Sequence, residues 1–299
     1  MESFSSGFVG VIGQTNVGKS TFINAILGKK LVITSPKPQT TRNRIRCIYN
    51  SKNVQIVFVD TPGLHRPHNK LSRHILRQAY RTLRELDLIL YMVEPWSGLS
   101  AYDTLLLDRL TGHDKPIILL VNKIDRAKGN ALEETLLAYA RTDIFAELIP
   151  ISAQEGTNLN EALHTVIGCL PKRMAYFPVD MITDQSERFL VSELIREKIV
   201  QLTFKELPYS TAVRIKEIEQ QSAGSVHIRA EICVVRKSQK GIIIGKHGAM
   251  IKEIGTRARR DIETLLGTKV FLDLIVRVRK DWTKDEHEIE ILTREEMIV

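Results

Sequence analysis

Two hydrophobic rhythms alternate along the first 170 residues. Short apolar runs at 8–12, 54–59, 88–93, 116–121 and 148–151 predict buried strands. Between them, stretches at 19–27, 70–86, 101–110 and 159–170 carry apolar residues at helical spacing, such as Phe22, Ile23, Ile26 and Leu27 in the first. Residues 44–49 and 54–59, joined by the turn Asn50-Ser51-Lys52-Asn53, predict an antiparallel hairpin at the sheet edge. Such an order predicts an α/β domain: a mostly parallel sheet with helices on both faces.

The rhythm changes after a stretch with Pro171, Pro178 and no period. A helix at 187–204 presents Phe189, Leu190, Leu194, Ile195 and Ile199 on one side. Alternating strands follow at 211–218 and 226–236, then a short apolar helix, a longer basic helix at 249–266 and a last alternating strand at 270–279. This predicts a smaller α+β domain. The chain thus divides into a first domain (1–172), a linker (173–186), a second domain (187–282) and an acidic C-terminal tail (283–299).

Chemistry enters at the end of the first strand. Gly13-Gln14-Thr15-Asn16-Val17-Gly18-Lys19-Ser20 reads as G-x-x-x-x-G-K-S, between a strand and a helix. Its glycines let successive N–H groups turn toward an anion, and the helix N-terminus adds a favourable dipole. In this P-loop reading Lys19 reaches the β- and γ-phosphates and the Ser20 hydroxyl sits on Mg²⁺. The strand 54–59 ends at Asp60-Thr61-Pro62-Gly63-Leu64. A carboxylate there faces the ligand crevice of an open α/β sheet, so Asp60 is placed to hold Mg²⁺ directly or through water. The Gly63 N–H is placed to approach the γ-phosphate. A third strand ends at Asn122-Lys123-Ile124-Asp125. An aspartate accepts from both N1–H and the 2-amino group of guanine, whereas adenine offers neither donor. Asn122 ties the base edge to neighbouring loops, the Lys123 stem covers the ring, and the Ser152-Ala153 backbone meets the guanine oxygen. Residues 31–44 are a Pro-, Thr- and Arg-rich loop in which a threonine could complete the Mg²⁺ shell. His65 and His68 lack the further ligands of a metal site and read as surface histidines.

Charge adds a partner class. The 299 residues carry a net +8, and 221–280 alone carries +8 while 281–299 carries −5. A second basic stretch, Lys37 to Arg81, holds ten Lys/Arg against Asp60. An anionic partner is expected. There is no apolar run of membrane-spanning length, and the first residues, Met1-Glu2-Ser3-Phe4, do not lead to the expectation of a secretion signal. Cys47, Cys169 and Cys233 have no metal spacing and predict thiols in a reducing compartment.

With its motifs in this order, the first half resembles the Era-like GTPases. Gln39-Thr40-Thr41-Arg42 is similar to their first switch loop and Asp60-Thr61-Pro62-Gly63-Leu64 to their second. The resemblance implies that Thr41, with Thr40 as the alternative, contacts Mg²⁺. Leu64 stands where Ras-like proteins carry a water-orienting glutamine, and leucine cannot orient water. In such relatives an asparagine at the position of Asn16 helps to bind K⁺, which acts like an arginine finger. The implied set for GTP or GDP is residues 13–20, Asp60, Thr61, Pro62, Gly63, Leu64, Asn122, Lys123, Asp125, Ser152 and Ala153. Lys19, Thr41, Asp60, Gly63 and Asn16 would carry hydrolysis, and Ser20, Thr41 and Asp60 the metal.

In the second half, Gly241-Ile242-Ile243-Ile244-Gly245-Lys246-His247-Gly248 lies between the short and long helices and resembles the G-x-x-G loop of a type II KH domain. Such loops clamp about four nucleotides of an unpaired strand. The resemblance implies RNA contacts from Gly245, Lys246, His247 and Gly248. Ile242, Ile243 and Ile251 would shape the groove or its supporting core, and Lys252 and Arg257 would attract phosphates. His247 stands where the family often has glycine. A GTPase joined to this domain resembles the Era family as far as Trp282. That implies a cytoplasmic, monomeric switch acting in 30S subunit maturation on the 3′ region of 16S rRNA, with some peripheral association with the inner membrane. Three rival readings share parts of this pattern: a membrane-surface signalling GTPase using its basic faces on anionic lipid, a tRNA-modifying GTPase, and a metabolic kinase.

Overall fold

The computed structural model describes residues 4–35, 37, 40–42, 44–61, 71–73, 83–96, 98–110, 114–221 and 224–293. They form two units. The first takes in the described residues of Met1–Val32, Arg44–His65 and Leu76–Asp184; the second those of Ile33–Asn43, Arg66–Ile75 and Gln185–Val299.

The first unit is built on six strands: β1 (Ser5–Gly13), β2 (Ile45–Ser51), β3 (Val54–Asp60), β4 (Leu88–Val93), β5 (Ile117–Val121) and β6 (Glu147–Pro150). Their order is β2-β3-β1-β4-β5-β6, and every pairing except β2–β3 is parallel. Burial on both faces explains the near-continuous apolar runs. On one face Ile12, Val59, Tyr91 and Leu119 pack with Leu106 and Leu110 of α2 (Ala101–Leu110) and Tyr139 of α3 (Ala131–Ala140). Phe58, of opposite parity to Val59, meets Phe22 of α1 (Lys19–Leu27) at 6.1 Å. A last helix, α4 (Leu159–Cys169), buries Ala162 and Val166.

The order reverses at β1, with β3 on one side and β4 on the other. Such a switch point opens a crevice at the carboxyl ends of the strands. Gly13, Asp60 and Val121 all end strands there.

Residues 173–184, read from the sequence as linker, are bonded to this unit. Tyr176 and Phe177 donate their N–H groups to Gln55 Oε1 at 2.7 and 2.9 Å. Ile48 N donates to Ile182 O at 2.8 Å, and Arg46 pairs with Asp184 at 2.7 Å. Strand β2 is an edge, and this segment satisfies backbone groups that an edge leaves open.

The second unit is a three-stranded sheet of β7 (Ala212–Gln221), β8 (Ser225–Val234) and β9 (Lys269–Val278), antiparallel then parallel. Helices α5 (Glu187–Leu202), α6 (Lys237–Ile244) and α7 (Ala249–Leu266) complete a helix–strand–strand–helix–helix–strand order. Ile254, Ala258 and Ile262, four residues apart on α7, sink into a core with Ile195, Ile228, Ile232 and Val276. The acidic stretch after Trp282 is not simply a tail. It forms α8 (Glu286–Thr293), whose Ile289 packs with Trp282, Cys233, Ala212 and Leu71.

Candidate functional site

The first site lies at the carboxyl ends of β1, β3, β5 and β6. Gly13 has φ 150°, and a side chain there would meet Met92 O at 2.2 Å. Gly18 has φ 106°, and a side chain would strike Asn122 Nδ2 at 2.1 Å. These positions therefore require glycine. Helix α1 starts at Lys19, directly after this loop. The Lys19 ammonium is buried and donates to Gly13 O at 3.1 Å and Gln14 O at 2.6 Å. Burial pushes its pKa down to about 8, against the opposing charge of Asp60.

Ser20 Oγ donates to Asp60 Oδ2 at 2.9 Å. A hydroxyl and a carboxylate so placed are hard oxygen donors of the kind Mg²⁺ takes, so the pair fits that ion. Thr61 is buried and donates to Val11 O at 2.8 Å. Pro62, Gly63 and Leu64 lie outside the described residues, as do His65 and His68. Thr41 belongs to the second unit, so of the three expected metal ligands only Ser20 and Asp60 share one unit.

The base-reading end is tied to the phosphate loop by side chains. Asn122 donates to Val17 O at 2.7 Å and accepts from Ala153 N at 2.9 Å. Lys123, at φ 68°, donates to Asn16 O at 2.6 Å and pairs with Glu94. Ser152 Oγ donates to Asp125 Oδ1 at 2.6 Å, which turns that carboxylate and leaves Oδ2 beside Arg126 Nε at 3.5 Å. The arrangement offers an anion cradle at one end and an oriented carboxylate at the other. Sequence reading did not find Glu94, nor the buried Asp103 that holds Gln14; both lie outside any motif.

The second site is the turn between α6 and α7. Gly245 (φ 73°, ψ 171°) and Gly248 (φ 79°, ψ 11°) flank Lys246 and His247. His247 adopts φ 50°, a conformation open to histidine but costly, and Lys246 and His247 are exposed. Ile242 is 53% exposed, whereas Ile243 is fully buried. Of the two roles left open for Ile243, groove or supporting core, its burial on α6 fits the core. Ile251 and Lys252 line a cleft of about 290 Å³ with Gly255, Arg259, Phe271 and Leu274. Phe271 is 63% exposed and stands edge-on to His227 at 5.2 Å. It is an exposed aromatic ring at the cleft that sequence reading missed, because strand alternation alone marks it as outward and no more. Arg257 is exposed on α7 and pairs with Glu253 at 2.6 Å.

Together these features define a P-loop GTPase domain joined to a KH domain. Residues 8–123 match the model of a family described as 50S ribosome-binding GTPase, and residues 206–283 that of the KH domain. The chain is 48% identical to GTPase Era of Geotalea uraniireducens over 95% of its length and 96% of that protein's. It is also 48% identical to GTPase Era of Geobacter metallireducens, over 97% of each. Two solved structures superpose with a TM-score of 0.93 at 38% identity, over 97% of this chain and 99% of theirs. They are an Aquifex aeolicus Era variant bound to GDP·AlF4⁻, and Era in complex with MgGDPNP and nucleotides 1506–1542 of 16S ribosomal RNA. The chain belongs to the Era family and is a GTP-hydrolysing enzyme.

Proposed function

We propose that this chain is a Mg²⁺-dependent GTP switch that binds the 3′ region of 16S rRNA and acts in maturation of the 30S subunit. Residues 1–172 hold the nucleotide and 187–282 the RNA. Lys19 and the loop 13–20 take the phosphates, and Ser20, Asp60 and Thr41 take the metal. Gly63 reports the γ-phosphate, and K⁺ beside Asn16 offsets charge that Leu64 cannot. Asn122, Asp125, Ser152 and Ala153 select guanine. Gly245 to Gly248 clamp the strand, while Ile251, Lys252 and Phe271 face the cleft where bases lie.

The observation that carries this reading is one bonded path, Val17 to Asn122 to Ala153, joining the phosphate cradle to the guanine-selecting loops in a single unit. On the RNA side, the solved Era complex with a 16S fragment supports the choice of partner. Among the described residues no helix is long and apolar enough to cross a membrane. We place the protein in the cytoplasm as a monomer, with peripheral contact to the inner membrane through its basic faces.

Crosslinking in cells with and without the Gly248→Asp substitution tests the RNA assignment. Reads should concentrate at the 3′ end of 16S rRNA and vanish in the variant. Reads spread over other RNAs would overturn it.

A further inference from the structure

One buried carboxylate next to the phosphate loop is unused by the reading above. Asp103 is 1% exposed, in the first turn of α2. Among the described residues no cation lies within ion-pair distance of it, and its partners are neutral donors. Part of this is a helix cap: Ser100 N donates to Asp103 Oδ2 at 3.2 Å, and Asp103 N donates to Ser100 Oγ at 3.1 Å. A cap does not need the rest. Tyr91 Oη donates to Oδ1 at 2.7 Å, and Gln14 Nε2 reaches both oxygens, at 3.2 and 3.0 Å.

Gln14 is the second residue of the phosphate loop, and its own carbonyl receives the Lys19 ammonium at 2.6 Å. A rigid helix therefore fixes the side chain of the residue whose backbone seats the phosphate-binding lysine. Burying a polar group is costly unless its hydrogen bonds are made, and these donors meet that cost only while all of them stay in place. Such a group holds its donors firmly, because a displaced Gln14 leaves it short of a partner.

We propose that Asp103 is a positioning residue for nucleotide binding, acting through Gln14 on the curvature of the phosphate loop and on the seat of Lys19. The inference rests on the nucleotide reading of residues 13–20. Its effect falls on GDP and GTP alike, since both carry the phosphates that the loop holds. It does not touch the reacting atoms.

The test uses the full chain as wild type, Asp103→Asn, Gln14→Ala and the double variant. Fluorescent GDP and GTP binding, kcat at saturating GTP and Tm are measured on each. Each single substitution should weaken both nucleotides about tenfold, mainly through faster release, with kcat changed less than about threefold. The double variant should bind no more weakly than the weaker single one, because one interaction is removed by either change. A lower Tm with unchanged nucleotide affinity would overturn the proposal and leave Asp103 a helix cap. Additive losses, about a hundredfold in the double variant, would also overturn it, because the two residues would then act independently. A cooperative thermal transition and an unchanged far-ultraviolet circular dichroism spectrum in every variant show that the fold survives. A wild type with no preference for GTP over ATP would instead sink the nucleotide reading itself.

Discussion

At the scale of single residues, the site is a set of charges held at a cost. The Lys19 ammonium is buried, and its pKa sits near 8 rather than 10.5. The sign of the linkage follows. Below about pH 8 the lysine is charged folded and unfolded, and the burial penalty is fully present; between about 8 and 10.5 the folded chain gives up its proton first, so this group's penalty fades as pH rises. Bound phosphate reverses the preference, because an opposite charge raises the pKa of the lysine. Binding above pH 8 must then take up a proton. GDP affinity should be nearly flat from about pH 7 to 8 and fall above it, with a slope approaching tenfold per pH unit. Calorimetry in two buffers of different ionisation enthalpy reads the proton uptake directly. A flat profile to pH 9.5 would show that the ammonium does not meet the phosphates. Lys19→Arg, charged throughout, should abolish the slope at some loss of affinity, since a guanidinium does not fit a seat made for an ammonium.

Among the elements, the α6–turn–α7 unit separates folding from recognition, because its two glycines are needed for different reasons. At Gly245 a side chain would lie 2.7 Å from Met250 Cβ and 2.8 Å from Met250 N, at a φ that disfavours it. At Gly248 nothing lies within 4 Å, so only the left-handed backbone is strained. Gly245→Ala should destabilise the second unit by about 2–3 kcal/mol, and Gly248→Ala by about 1 kcal/mol. Gly248→Asp puts a carboxylate at the N-terminus of α7, where the dipole favours it, but repels a phosphate backbone. Thermal unfolding beside RNA titration distinguishes the roles. The 245 variant should lose Tm, and the Asp variant at 248 should lose RNA with a near-normal Tm. Equal Tm losses at both positions would refute the distinction.

The same elements show what local pattern carries and what it does not. Strands β1 to β6 and the motifs at their ends were legible because buried strands are apolar runs and phosphate or guanine recognition needs fixed residue types at fixed spacing. Helix α3 is not legible in the sequence pattern, although Tyr139 is buried on it and Leu132 and Leu136 pack half-buried beside it. Helix α8 was hidden by its charge: Glu286, Glu288 and Glu290 gave an acidic total while Ile289 and Leu292 supplied the packing. The roles of Asp103 and Ile243 depend on what folds against them, which composition and period do not encode.

For the molecule as a whole, the telling fact is where the segment that resembles a first switch loop belongs. The described residues of 33–43 precede most of the first sheet in sequence, yet they are bound within the second unit by contacts more than 150 residues apart. Thr34 N donates to Glu197 Oε1 at 2.8 Å. The Lys37 ammonium caps the end of α5, donating to Val200 O at 2.5 Å and Gln201 O at 3.2 Å and also to Thr203 O, with its charge over the Phe204 ring. Arg42 is buried and donates to Thr211 O and Pro208 O at 2.8 and 2.7 Å, and Arg196 donates to Thr40 O at 2.5 Å. A segment expected to supply Thr41 to the metal therefore has a second set of partners on the RNA-binding unit. If the same segment also supplies Thr41 to the metal, GTP and RNA compete for or share its positions, and such a coupling is reciprocal: RNA then changes GTP affinity by the factor by which GTP changes RNA affinity. Lys37→Ala removes the cation from the end of α5 and leaves the nucleotide and RNA contacts in place. It should move the coupling factor toward one from a wild-type value of about 5–150, the range typical of such linkage. Titrating RNA with GDP or a non-hydrolysable GTP analogue, and each nucleotide with and without RNA, measures the factor from both sides. If the wild-type factor is one, or if Lys37→Ala leaves it unchanged, the loop is bound to the second unit without informing it.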